Sequence, residues 1–93
     1  MTRIERITHM EGLFDKGTET LARLQRALDD FAALQPDLAE LEAYYTGPEW
    51  RADLEADEAG KLPKDLKCGV LSEDGIYNLL DENKRLIEGL KEQ

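Results

Sequence analysis

Apolar residues recur along the first third of the chain at spacings of three and four. Ile4, Ile7, Met10, Phe14, Leu21, Leu24, Leu28, Phe31 and Leu34 follow that rhythm or its multiples. Such spacing places them on one face of an α-helix. Ile7, Phe14, Leu21 and Leu28 lie seven residues apart and form a heptad seam. Thr2 and Glu5 make a T-x-x-E capping box, in which each side chain reaches an otherwise unpaired amide of the first turn. The pattern predicts a helix over about 2–35. Gly12 and Gly17 each weaken its interior, and a break near Lys16–Thr18 is the alternative. Pro36 lacks an amide donor and predicts a boundary or kink there. A second helix over about 36–45 follows, keeping the apolar phase through Leu38, Leu41 and Tyr45. Gly47-Pro48 ends it and opens a third helix, about 48–59, with Gly60 as its C-terminal cap.

Residues 60–71 read as a connector, in which Pro63 begins a single turn and Gly69 ends it. Ser72 is the N-cap of a last helix over about 72–92. Glu73 and Asp74 stand in its first turn, where negative charge suits the helix dipole. Leu71 and Ile76 are spaced as a hydrophobic staple. No stretch shows the sustained alternation of a strand. The expected architecture is a single all-α domain over 1–93, with the C-terminal helix packed antiparallel on the N-terminal one in a bundle. A helix of about 33 residues is roughly 50 Å long and the last one only about 30 Å. Part of the N-terminal stripe then stays uncovered in a monomer. Ile7, Phe14, Leu21 and Leu28 are therefore expected to form the seam of a homodimer or to take a partner helix.

The formal charge is −9, and its distribution matters more than its size. Residues 36–60 hold eight acidic side chains and one basic one, Arg51, whereas the flanking segments are each close to balance. Such a surface repels phosphate backbones and anionic membranes, so neither nucleic acid nor membrane is an expected partner. No apolar run approaches the length of a membrane span, and the first residues lack the apolar core of a signal peptide. A single cysteine excludes an internal disulfide and a cysteine-rich zinc site.

The acidic segment also carries clustered aromatics. Tyr44, Tyr45 and Trp50 flank Gly47-Pro48. One reading is a pocket for a cationic or peptide ligand beside Asp53, Asp57 and Glu58. The other is a small core, with Trp50 against Leu62, Leu66 and Val70, beside a solvated acidic face. Asp53 and Asp57 are four apart and share a helix face, but the spacing and glycine of a calcium loop are missing. His9 has Glu5 four residues before it and no third ligand, so it reads as a surface residue. Cys68 lies near Lys64 and Lys67 without a histidine or a second cysteine, so it reads as a half-buried loop thiol. No nucleophile elbow or phosphate-binding loop is present. The sequence thus predicts no catalytic residue, no cofactor, no metal and no identified small ligand.

Residues 44–80, YYTGPEWRADLEADEAGKLPKDLKCGVLSEDGIYNLL, combine Tyr-Tyr, Glu-Trp, Asp-Glu before Gly, Leu-Pro-x-Asp-Leu and Gly-Val-Leu-Ser-Glu-Asp in order. In this the chain resembles the family called domain of unknown function 4298. The likeness extends to the amphipathic N-terminal helix ending in Leu-Gln-Pro. The resemblance implies a short, acidic, helical, cytoplasmic bacterial protein and supplies no catalytic residue. Family members tend to carry a basic residue just before Gly-Val-Leu, where this chain has Cys68. Packing and capping account for Trp50, Leu62, Pro63, Leu66, Gly69, Val70 and Ser72. They do not account for Asp53, Asp57, Glu58, Lys64 and Asp65. With Tyr44, Tyr45 and Trp50, these five are the candidate partner or ligand surface. The reading they support best is a non-enzymatic protein–protein interaction module contacting its partner through the 44–75 end. The alternatives are a ligand- or metal-binding regulator and an acidic antagonist of a basic protein surface.

Overall fold

The chain is helical from its third residue because its first turn is closed by its own side chains. In the structure, a computed structural model describing residues 1–92, the Thr2 amide donates to Glu5 Oε1 at 3.3 Å. The Glu5 amide donates to Thr2 Oγ1 at 3.1 Å. Helix α1 then runs Arg3–Thr46, helix α2 Pro48–Glu58 and helix α3 Glu73–Lys91, with a single 3-10 turn at Gly69–Leu71. No strand occurs among the described residues. The class is all-α, as the periodicity predicts.

One boundary differs. The helices expected over 2–35 and 36–45 are a single element, with Pro36 inside it. The alternative break near Lys16–Thr18 is absent too. A proline in a helix interior costs about 3 kcal/mol, chiefly one lost amide bond and a steric clash. Its surroundings oppose that cost. Ala32, Ala33 and Leu34 precede it, Leu38 through Glu42 follow, and all but Leu38 and Leu41 are alanine or glutamate there. These are strong helix formers. The Gln35 side-chain amide donates to the Phe31 carbonyl at 3.1 Å, in the turn before the proline. Leu38 is buried, and Leu41, Tyr44 and Tyr45 pack on the core, which holds the chain helical after it.

The chain divides at this point into two units, Met1–Gln35 and the residues from Pro36 on. In the first unit no side chain is buried. Leu28, Phe31 and Gln35 are half-buried and the rest are exposed. The second unit holds the core. Trp50, Leu71 and Ile76 are its buried centre, with Leu41, Tyr44, Tyr45, Leu54, Leu62, Cys68 and Leu80 packed around them. Both α2 and α3 approach the Gly69–Leu71 turn.

The caps are those the sequence marks. At the end of α2, Gly60 has φ +70°, Lys61 donates to the Ala56 carbonyl at 3.0 Å and Gly60 to the Asp57 carbonyl at 3.0 Å. That is a Schellman motif, and its left-handed residue favours glycine. At the start of α3, Ser72 Oγ accepts from the Gly75 amide at 3.3 Å.

Candidate functional site

The junction of α1 and α2 builds the site. Thr46 Oγ1 donates to the Glu42 carbonyl at 2.9 Å, and the Gly47 amide donates to Tyr44 at 3.2 Å, turning the chain. A Cβ on Gly47 would lie 3.0 Å from the Ala43 carbonyl oxygen, tighter than ordinary packing, so glycine fits this close approach. Pro48 opens α2 at its first position, where the missing amide costs nothing. The turn brings α2 back toward the end of α1. Tyr44 Oη donates to Asp53 Oδ2 at 2.6 Å, a short bond to an ionised acceptor. The hydrogen bond to Asp53, helped by partial desolvation and the charges of Asp53 and Glu49, pushes the Tyr44 phenol up to about 12. Tyr44 is therefore a neutral donor throughout the physiological range, not a base.

Trp50 faces inward. It is 4% exposed, and its indole Nε1 donates to the Val70 carbonyl at 3.0 Å. Tyr45 meets it edge-on, with ring centroids 5.0 Å apart and planes at 74°. Of the small core expected around Trp50, Leu62 packs as expected. Leu66 does not, being 52% exposed, and Val70 contributes its carbonyl while its side chain stays partly exposed. Leu71 fills that place. The expected turn from Pro63 ends before Gly69, and a 3-10 turn over Gly69–Leu71 follows, with Leu71 buried.

Beside the Tyr44–Asp53 pair lies an open cleft of about 270 Å³, lined by Leu62, Leu66, Lys67, Cys68, Val70 and Leu71 as well as the pair itself. It joins an apolar wall to a phenol–carboxylate pair and one lysine. Such a surface can seat a small amphipathic group. Lys67 is read from the sequence only as a neighbour of Cys68 and not as part of the candidate surface. Cys68 is half-buried and unpaired. A second hollow of about 250 Å³ lies between the end of α1 and α3, lined by residues including Tyr45, Tyr77, Asp81 and Lys84.

The remaining candidates are dispersed over the surface. Asp57 and Glu58 are exposed on the last turn of α2. Lys64 and Asp65 are exposed on the turn closed by the Leu66 amide to the Pro63 carbonyl at 3.2 Å. The structure thus joins Tyr44 to Asp53 and Tyr45 to Trp50, and leaves Asp57, Glu58, Lys64 and Asp65 facing solvent. Among the described residues, no three His, Cys, Asp or Glu side chains are grouped to hold a metal ion. No helix of the described residues is long and apolar enough to cross a membrane. Of the seam, Ile7, Phe14 and Leu21 are exposed and Leu28 is half-buried. His9 is exposed on α1.

A family model described as a domain of unknown function (DUF4298) matches residues 7–92, nearly the whole chain. The resemblance read from residues 44–80 is thereby confirmed. No curated protein and no solved structure matches the chain.

Proposed function

This chain belongs to the DUF4298 family, and on that footing we propose that it is a non-enzymatic helical module for protein–protein interaction, working in the cytoplasm. One observation carries the reading. The first unit presents a run of large apolar side chains to solvent, with Phe14 69% and Leu21 67% exposed. Contiguous apolar surface on this scale marks an interaction site more often than an ordinary monomer face. The same reading covers α3, whose Leu79, Leu86 and Leu90 are also exposed. Antiparallel packing of that stripe on the part of the long helix that follows Pro36, within the second unit, belongs to the proposal. In the second unit, the exposed Asp57 and Glu58 offer a separate charged contact for a basic partner. Affinity capture from a native extract tests it, comparing the wild type with Phe14→Asp/Leu21→Asp and with Asp57→Ala/Glu58→Ala. The expected result is a specific protein retained by the wild type and lost from the first variant. Equal capture by all three overturns the reading.

A second reading rests on the cleft. The Tyr44–Asp53 pair and Lys67 flank its apolar wall, which suits a small amphipathic ligand and a regulatory role. Chemical-shift changes confined to Leu62, Leu66 and Val70 in a fragment screen support it, and a screen that moves none of them removes it.

A further inference from the structure

We propose that the first unit of α1 pairs with the same segment of a second copy of this chain, antiparallel, in the register that sets Ile7 against the second copy's Phe31, Phe14 against its Leu24 and Gly17 against its Leu21. The proposal rests on the interaction reading above and names its partner.

Two rows of positions make the face. One is Ile7, Phe14, Leu21 and Leu28; the other, three residues on, is Met10, Gly17, Leu24 and Phe31. Together they are the a and d positions of a heptad seam. Gly17 is the only one of them without a side chain, and nothing lies within 4 Å of the place its Cβ would take. The gap is therefore not filled within the chain.

A parallel pair would set each row against itself. Gly17 would then face Gly17, leaving one layer empty, only one turn from a layer holding two Phe14 rings. Helix axes cannot be held apart by paired phenylalanines and close an empty layer within about 4.5 Å of rise. An antiparallel pair sets one row against the other. Ile7 meets Phe31, Met10 meets Leu28, Phe14 meets Leu24, and the glycine gap receives Leu21. Large faces small through the middle of the seam, the arrangement that fills a core to native density. The flanks agree. Thr20 meets Thr20, while Leu13 and Leu34, 51% and 41% exposed, lie over Ala27 and the stem of Arg6. A parallel pair would gain an Arg6–Glu11 attraction, but one exposed ion pair adds little.

The area suffices. Eight large apolar side chains of this unit, from Ile4 to Leu34, are between 41% and 78% exposed. At roughly 100 Å² each they offer about 800 Å² per chain, the share each partner contributes to a standard stable interface. The twofold axis makes the contact isologous, so it closes at two copies and does not propagate.

Spin-label distances on the full chain test the register. Cys68→Ser removes the native thiol, and single cysteines are placed outside the seam as Thr8→Cys, Glu19→Cys or Asp30→Cys. The antiparallel register separates Thr8 from Thr8, and Asp30 from Asp30, by about 35 Å, from about 1.5 Å of rise per residue. A mixture of the two labelled chains gives a separation under about 20 Å. Glu19, near the twofold axis, reads short in either orientation and reports association alone. Long same-site distances with a short mixed distance support the proposal. Short same-site distances at Thr8 and Asp30 overturn the register and leave the interaction module standing. No coupling at Glu19 overturns the second copy as occupant, and the capture experiment then decides whether the module meets another protein.

Discussion

Replacing Trp50 with alanine should unfold the unit that begins at Pro36. The indole is 4% exposed, donates to the Val70 carbonyl at 3.0 Å and stands edge-on to Tyr45. Truncating a buried tryptophan to alanine costs about 3–5 kcal/mol through lost burial and the cavity left behind. A core this small rarely supplies more than about 3–5 kcal/mol of net stability. Among the described residues its buried centre is Trp50, Leu71 and Ile76, with Leu38 buried outside that cluster, so the loss is comparable to the whole reserve. Trp50→Phe separates the contributions. It keeps an aromatic ring for Tyr45 and removes the hydrogen bond, worth about 1 kcal/mol net, together with part of the packing. Its cost should be about 1–2 kcal/mol. Leu66→Ala is the control. Leu66 is 52% exposed, and its truncation should cost no more than about 1 kcal/mol. Urea unfolding followed by circular dichroism, with amide shift dispersion for residues 36–92, gives all three values. Trp50→Ala retaining a cooperative transition within about 1 kcal/mol of the wild type would refute the reasoning. So would a larger loss for Leu66→Ala than for Trp50→Phe.

Gly60→Ala should destabilise by about 1–2 kcal/mol in the same assay, because φ is +70° and the space around it is open, so the backbone cost stands alone. Gly12→Ala should do the reverse, raising the helicity of α1 by about 0.5–1 kcal/mol, since its Cβ meets nothing; a loss at Gly12 would show that this face is covered. Ser72→Ala should cost about 1 kcal/mol through the lost bond to the Gly75 amide, and an unchanged unfolding midpoint would deny that cap. Phenol absorbance should show one tyrosine titrating at about 12, against an ordinary value of 10.0, and returning toward the ordinary value in Asp53→Asn. Because the folded-state value is raised, the Tyr44–Asp53 bond contributes fully below pH 10.0 and is lost as pH rises through about 12. All tyrosines titrating together would contradict the bond.

Local chemistry was legible where a single turn decides the outcome. Thr2 with Glu5, Pro48, Gly60 and Ser72 each act within four residues of themselves, and the spacing names both donor and acceptor. Pro36 was not legible in that way. Its local cost is real, but the helix formers beside it and the burial of Leu38 outweigh it, and burial is a property of the fold. The connector shows the same limit. Residues 60–71 have no period from which an inward face can be read, so Leu66 reads as a core residue although it is exposed, whereas Leu71, marked by its staple spacing to Ile76, is buried with it. The acidic–aromatic cluster was visible as composition. The bond between Tyr44 and Asp53, nine residues apart, depends on the turn at Gly47 and has no helical spacing to announce it. Lys67 joins the cleft for the same reason. The heptad stripe on α1 was visible from periodicity alone, and Ile7, Phe14 and Leu21 stand exposed on it, but the half-burial of Leu28 was not.

Sedimentation equilibrium tests that stripe most directly. The wild type should associate to twice its monomer mass in a concentration-dependent way, and Phe14→Asp/Leu21→Asp should remain monomeric with its unfolding transition for residues 36–92 intact. A wild type that stays monomeric at all concentrations, or a double variant that associates as well as the wild type, would contradict the account.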